Sequence, residues 1–361
     1  MRDLRQIDPN FALPMVKTEG IVFHDVRKAD VDIYGLYRPR EGEAFCRMPW
    51  EVAEAVRPGV VTLNGHTAGG RIRFRTDSRR IVLRVKQSGV KIHYGHMTFL
   101  NAAGFDMYLY RDGVQQYWDS FVPPVDRTDG YESMVTFPDR QMREIVLNMP
   151  SYDDVQSLYI GLDDGAVLTG GSQYRLNKPV VYYGSSITQG GCASRPGNLY
   201  QNILSRRLNI DYLNLGFSGN AKGDLPVAAY MASLDAAAYV VDYDHNAPTV
   251  EHLEATHEPF VRTIRAKRPD TPILLVSRPG IPRTDEERET VYRRRQVILR
   301  TCETLKGEGD GNILFLDGQT MFALRGGDSC TVDRNHPNDL GFMAMADAME
   351  PFLRNMLHME A

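Results

Sequence analysis

Two hydrophobic rhythms divide the chain. Up to about residue 175, apolar and polar residues alternate over short runs. In RIRFRTDSRRIVLRVK, residues 71–86, Ile72 and Phe74, then Ile81, Leu83 and Val85, fall on one face. TDSRR supplies turn residues between them, so the stretch predicts a hairpin. Similar runs follow in GFDMYLYRDG, QQYWDSFVP, REIVLNMP and VQSLYIGLDDG, each closed by glycine, proline or aspartate. Many short strands with few helical patterns predict a β-sandwich or jelly roll.

From Lys178 the rhythm changes. VVYYG, DYLNLGF, AAYVVDY, PILLVSRPG and NILFLDG are nearly continuous apolar runs, as in strands buried on both faces. Between them lie amphipathic segments such as NLYQNILSRRL, TVEHLEATHEPFVRTIRAKR and TDEERETVYRRRQVILRTCETLK. The last opens with Thr284 and Glu287 at capping-box spacing, and Thr249 reads as the N-cap of the second. Strands alternating with helices predict a parallel sheet covered on both faces. The expected fold class is therefore α/β: an N-terminal β-sandwich or jelly-roll domain, residues 1–175, before a three-layer, flavodoxin-like α/β/α domain, residues 176–361. The length of 361 residues agrees with two cores.

Composition narrows the function. Hydrophobic residues make up 42% and charged ones 24%, a globular balance. A net charge of −4 offers no field to attract a phosphate backbone, so no nucleic-acid partner is expected. No run approaches the ~20 apolar residues that span a bilayer, so no membrane partner is expected. The N-terminus, MRDLRQIDPNFALP, lacks the apolar core of a secretion signal. The chain as given is expected to be cytoplasmic, or secreted or periplasmic if a signal has been removed. Cys46, Cys192, Cys302 and Cys330 form no C-x-x-C pair, and His93 and His96 have no third ligand at metal spacing. No metal or other cofactor is expected. Free thiols are the expected state of the four cysteines, with a Cys192–Cys330 pairing at the rim of a cleft as the alternative.

Open α/β sheets bind ligands at the carboxyl ends of their strands. The residues that follow each apolar run are therefore the informative ones. They read Gly184-Ser185-Ser186, Gly216-Phe217-Ser218-Gly219-Asn220, Asp244-His245-Asn246-Ala247-Pro248 and, after the fifth run and a loop, Asp333-Arg334-Asn335-His336-Pro337. Together they hold the parts of an acyl-transfer site. A serine hydroxyl needs a base, and His336 has the right chemistry. Asp333, three residues earlier, is close enough to hold the imidazole tautomer. An oxyanion needs fixed donors, which the Ser186 N–H, the Gly219 N–H and the Asn246 amide can supply. Each motif alone is weak, since Gly-Ser-Ser and Gly-x-Ser-Gly are usually turns. Their order and their shared place past strand ends make the case.

These blocks resemble those of the SGNH hydrolases, the GDSL esterase/lipase superfamily. YYGSSITQGG is similar to the nucleophile block, NLGFSGNAKG to the glycine block, DYDHNAP to the asparagine block and DRNHPNDLGF to the Asp-x-x-His block. The resemblance covers residues 178–357. It implies a serine esterase with Ser186 as nucleophile, Gly219 and Asn246 as oxyanion donors, and Asp333 with His336 as the acid–base pair. Ser185 stands where the family usually has an acid, and Asp244 and Ala247 replace a glycine and an acid in the asparagine block. SGNH enzymes with a β-sandwich N-terminal domain are similar in layout. That pairing implies short-chain, acetyl-type esters of a carbohydrate as substrates. An acyltransferase using the same acyl-enzyme, or a decayed hydrolase that only binds carbohydrate, is the alternative.

Secondary candidates lie around these blocks. Arg195 and His245 are candidate substrate contacts, although a solvated position or a hydrogen bond bracing its loop is the favoured reading of Arg195. Tyr94, Trp118 and Tyr131 are candidates for a sugar-stacking platform, although half-buried strands are rich in aromatics anyway. Acyl length, the alcohol part and the oligomeric state, a homo-oligomer included, stay open at this level.

Overall fold

The computed structural model describes residues 7–8, 15–88, 95–124, 128–323 and 325–360. Its first half holds β1 (Ile21–Asp25), β2 (Asp32–Tyr34), β3 (Arg71–Thr76), β4 (Arg80–Lys86), β5 (Phe105–Arg111), β6 (Val114–Phe121), β7 (Gly130–Thr136), β8 (Arg143–Asn148), β9 (Ser157–Asp163) and β10 (Leu168–Gly170). They form two antiparallel sheets, one ordered β1-β9-β4-β7 and one β10-β3-β8-β5-β6, with β2 on the side of β3. Inner faces of both sheets share one core, in which Ile72, Phe74, Leu109 and Ile145 meet Leu83, Val85, Ile160 and Leu162.

The expected hairpin over residues 71–86 does not form. β3 pairs with β8, matching Ile72 to Leu147 and Phe74 to Ile145, while β4 lies between β7 and β9. The TDSRR segment crosses from one sheet to the other. A period of two fixes which face of a strand is buried and is silent on its neighbour. Here the two apolar faces meet across the sandwich.

The second half carries β11 (Val180–Gly184), β12 (Tyr212–Gly216), β13 (Ala238–Asp242), β14 (Ile273–Val276) and β15 (Ile313–Leu316), all parallel and ordered β12-β11-β13-β14-β15. Every residue of the first three is buried, as continuous apolar runs require. Helices Tyr200–Leu208 and Asp339–Met356 pack on one face through Ile203, Leu204, Phe342 and Met345. Helices Leu225–Ser233, Val250–Lys267 and Asp285–Gly307 cover the other through Met231, Phe260 and Ile298. Thr249 and Thr284 cap their helices as expected, each accepting a backbone N–H at 3.1 Å.

Among the described residues no helix is long and apolar enough to cross a membrane. Buried arginines join the halves. Arg47 is fully buried and donates to the carbonyls of Asn214 at 3.0 Å, Gly216 at 2.6 Å and Leu63 at 2.5 Å. Arg71 pairs with Asp211, donates to the Tyr212 carbonyl at 3.1 Å and stacks on the Tyr212 ring. Alternation in β3 points Arg71 and Arg73 away from the sandwich core, and that outward face is buried against the parallel-sheet half.

Candidate active site

The strand order reverses beside β11, which has β12 on one side and β13 on the other. Such a switch point opens a crevice at the carboxyl ends of the strands. Ser186, Gly219 and Asn246 follow β11, β12 and β13, so all three sit on that rim. The turn after β11 is tight. Ser185 caps the short helix Ser186–Gln189 by accepting the Ile187 N–H at 3.1 Å. An aspartate could cap this turn in the same way as Ser185. Gly190 closes the helix in the left-handed region, with φ of 109°. A Cβ at Gly216 would sit 2.2 Å from the Gln189 nitrogen, so the end of β12 must be glycine for the turn to pack.

Ser186 Oγ lies 2.9 Å from His336 Nε2. On the other side of the ring, Nδ1 is 2.7 Å from Asp333 Oδ2. Asp333 Oδ1 also accepts the backbone N–H groups of His336 at 2.6 Å and Asn335 at 3.0 Å. Partial burial pushes the Asp333 carboxyl up, but these hydrogen bonds outweigh it and hold the group below the usual carboxylate range. A carboxylate on Nδ1–H leaves the Nε2 lone pair facing the serine hydroxyl. The loop that achieves this is strained, since Arg334 has φ of 73°. The Glu287 carboxylate holds the Arg334 guanidinium at 2.7 Å.

Gly219 has φ of 68°, and a Cβ built there would meet nothing within 4 Å. Glycine is thus suited to the backbone conformation, and the space in front of it is open to a ligand. The Asn246 amide donates to the Phe217 carbonyl at 2.8 Å, which fixes the side chain and leaves its second N–H to point elsewhere. Arg294, on helix Asp285–Gly307, clamps the same loop through the carbonyls of Asp244 at 2.5 Å and Ala247 at 2.8 Å. Asp244 accepts the Arg278 N–H at 3.0 Å, and burial lifts its carboxyl to about 6.

A cavity of about 390 Å³ surrounds Ser186, lined also by His96, Met97, Tyr152, Cys192, Asn246 and His336. The β-sandwich half therefore reaches the cleft. Tyr152 donates to the Ser186 carbonyl at 3.1 Å, Asn101 to the Gly190 carbonyl at 2.8 Å, and Thr98 to the Ser194 carbonyl at 2.7 Å. Gln189 ties the rest together. Its amide donates to the Ser151 carbonyl at 3.1 Å, and its oxygen accepts the Ser218 N–H at 2.9 Å. A larger cavity of about 680 Å³, lined by Arg278, Ile281, Thr284, Glu287 and Arg334, shares Asp333 and Asn335 with the first.

Other candidates lie elsewhere. Arg195 pairs with Asp106 at 2.7 Å, reaches Tyr108 at 2.5 Å and packs over the Tyr117 ring. It braces the two halves and does not line the cavity around Ser186. His245 is half-buried and also off that lining, its Nε2 without a hydrogen-bond partner among the described residues. Burial first, then the cations of Arg278 and Arg294, keep its ring neutral. Tyr131 is a core residue donating to the Ala103 carbonyl at 3.1 Å, so it cannot form a stacking platform. Trp118 is exposed on β6 and packs on Phe137, off the cavity lining. His93 and Tyr94 lie outside the described residues. Cys192 and Cys330 are both free, buried thiols and do not pair. The sequence did not single out Tyr152 or Gln189, and it offered His96 only as a metal candidate lacking a third ligand. Only Gln189, three residues past Ser186 on a four-residue helix, carried a local signal.

The model of the GDSL-like lipase/acylhydrolase family matches residues 177–354, and that of the N-terminus of SGNH-hydrolase-type esterases matches residues 21–168. A crystal structure described as a GDSL-like lipase from Bacteroides ovatus is 30% identical, with a TM-score of 0.85 over 94% of this chain and 99% of its own. The salicylyl-acyltransferase SsfX3 of a tetracycline biosynthetic pathway has a similar fold, with 22% identity and a TM-score of 0.78 over 94% and 98% of the two chains. So has an active-site mutant of a family two carbohydrate esterase from Clostridium thermocellum, with 13% identity and a TM-score of 0.66 over 92% and 100%. No curated protein matches the chain.

Proposed function

The chain belongs to the GDSL-like lipase/acylhydrolase family and is an ester hydrolase; from that premise we propose that it cleaves short-chain, acetyl-type esters of a carbohydrate through an acyl-enzyme on Ser186. In this reading His336 Nε2 takes the hydroxyl proton as Oγ attacks the ester carbonyl. Asp333 holds the ring and stabilises the imidazolium as it forms. The Ser186 and Gly219 N–H groups and the Asn246 amide receive the oxyanion. Collapse expels the alcohol, which takes the proton back from His336. Water, activated by the same ring, then releases the acid and restores the serine.

The observation that carries this reading is the relay of contacts from Ser186 Oγ to His336 at 2.9 Å and from His336 to Asp333 at 2.7 Å. Proton transfer needs separations of about that size. For the substrate, the support is shape and polarity. The cavity at Ser186 is small, as a short acyl group would need. Its polar rim, with His96, Ser218 and Asn335, opens beside the larger cavity shared at Asp333 and Asn335. A polyhydroxylated alcohol fits such a surface better than an acyl tail does. The likeness to carbohydrate esterases agrees with this at the level of the fold.

The test compares the wild type with Ser186→Ala on a chromogenic acetate ester and on acetylated oligosaccharides. Turnover should fall by about 10⁴ or more, and retention of full activity would end the proposal. The same assay with an added alcohol acceptor measures transfer against hydrolysis.

A further inference from the structure

The cavity around Ser186 gathers three metal-ligating side chains, of which the proposed ester cleavage uses only His336. His96 comes from the sandwich half, Cys192 from the loop six residues past Ser186, and His336 from the last loop. One ligand atom from each lies within 4.8 Å of the others. We propose that His96, Cys192 and His336 form a binding site for a thiophilic divalent cation, zinc above all, and that its occupancy shuts the active site. The inhibitory half of this proposal rests on the reading of His336 as the base; the binding half does not.

The donor set selects the metal. Two imidazoles and a thiolate suit zinc and its soft neighbours, whereas magnesium and calcium demand oxygen. Three protein ligands with a fourth position left open is a common zinc arrangement. Metal–nitrogen and metal–sulfur bonds of about 2.1 and 2.3 Å place tetrahedral ligand atoms about 3.4–3.8 Å apart. Closing from 4.8 Å takes a shift of about an ångström. His96 can supply it: its side chain is 42% exposed and its ring centroid lies 5.9 Å from that of His336. Cys192 is buried with φ of 73°, a backbone that fixes where its sulfur points.

The outer layer is already built. A zinc-bound histidine usually donates its other N–H to a carboxylate, and Asp333 accepts from His336 Nδ1 at 2.7 Å. The same carboxylate lies 3.8 Å from His96 Nε2 and adds negative charge beside the cation. Binding breaks the contact from Ser186 Oγ to His336 Nε2, because the lone pair that would take the serine proton goes to the metal. The Cys192 thiol loses its proton to solvent. A coordinated cation supplies the charge that makes the thiolate stable.

The experiment uses the full chain freed of metal by a chelator. Cobalt is added first, as a spectroscopic stand-in for zinc. The expected result is one equivalent bound with a thiolate-to-cobalt charge-transfer band, lost in Cys192→Ser. Zinc should inhibit ester cleavage, the chelator should restore it, and magnesium should do nothing. Cys192→Ser and His96→Gln, each referred to its own metal-free rate, should need about tenfold or more zinc for the same inhibition. Absence of the thiolate band, or equal zinc sensitivity in both variants and the wild type, overturns the site. His96→Gln changes an exposed residue and guards against a folding defect in the cysteine variant. If the chain cleaved no ester, the proposed function would fail while the cobalt band still decided the site.

Discussion

At the scale of single residues, the proposed oxyanion donors make the sharpest predictions. Asn246 is fixed by the Phe217 carbonyl, so its truncation removes a preset donor and little packing. Asn246→Ala should lower kcat by about 10²–10³ with a small change in KM, measured by steady-state hydrolysis of an acetate ester. Gly219 differs, because its φ of 68° disfavours any side chain although the space is open. Gly219→Ala should cost about 1–2 kcal/mol of backbone strain, seen as a lower urea midpoint. Gly219→Asn, whose side chain tolerates that region, should recover part of it. These residues were legible in the sequence because each follows an apolar run. Tyr152 was not, since its hydroxyl reaches Ser186 from the other half of the chain.

At the scale of elements, the end of β12 and the turn past it depend on a buried cation, Arg47, which among the described residues has no carboxylate in an ion pair with it. Burial pulls Arg47 down to about 9, and three carbonyls from two halves of the chain receive its hydrogen bonds. The guanidinium also lies 4.6 Å from the Phe217 ring centre. Arg47→Ala would take the guanidinium donor from the Asn214 and Gly216 carbonyls, each worth about 1–3 kcal/mol when buried, while the Leu63 carbonyl keeps the His66 N–H at 3.1 Å. A loss of at least about 2 kcal/mol is expected by denaturant unfolding, along with reduced turnover, because Phe217 holds Asn246. A loss under 1 kcal/mol would mean that water replaces the guanidinium. From sequence, Arg47 in FCRMPW looks like an ordinary surface arginine; nothing local marks it as buried.

For the whole molecule, two buried histidines predict acid sensitivity. Burial lowers His66 to about 4 and His257 to about 3, from an unfolded value of 6.5. His66 sits against Gln189 at the junction of the halves, and His257 contacts Thr301 between two helices. Below pH 6.5 the unfolded chain takes up protons that the folded chain refuses, so folding weakens as pH falls toward 4. The contribution is fully present above 6.5, and each histidine loses about 1.4 kcal/mol of it per pH unit below that value. Urea midpoints across this window should fall with pH, and less steeply in His257→Gln. An unchanged slope in that variant would show that its ring is protonated in the fold.

What the sequence determined by itself is periodic or local: the change from alternating to continuous apolar runs, the caps at Thr249 and Thr284, and the residues past each strand end. Burial writes itself into neighbouring positions, so strands, helices and the rim of the parallel sheet can be read along the chain. Only the tertiary structure decided which strands pair, why Arg71 and Arg73 are buried on the polar face of β3, and that Arg195 braces Asp106 away from the cavity around Ser186. It also brought His96, Cys192 and His336 into one cavity. Those outcomes depend on contacts between residues tens to hundreds of positions apart, and no repeat along the chain encodes them.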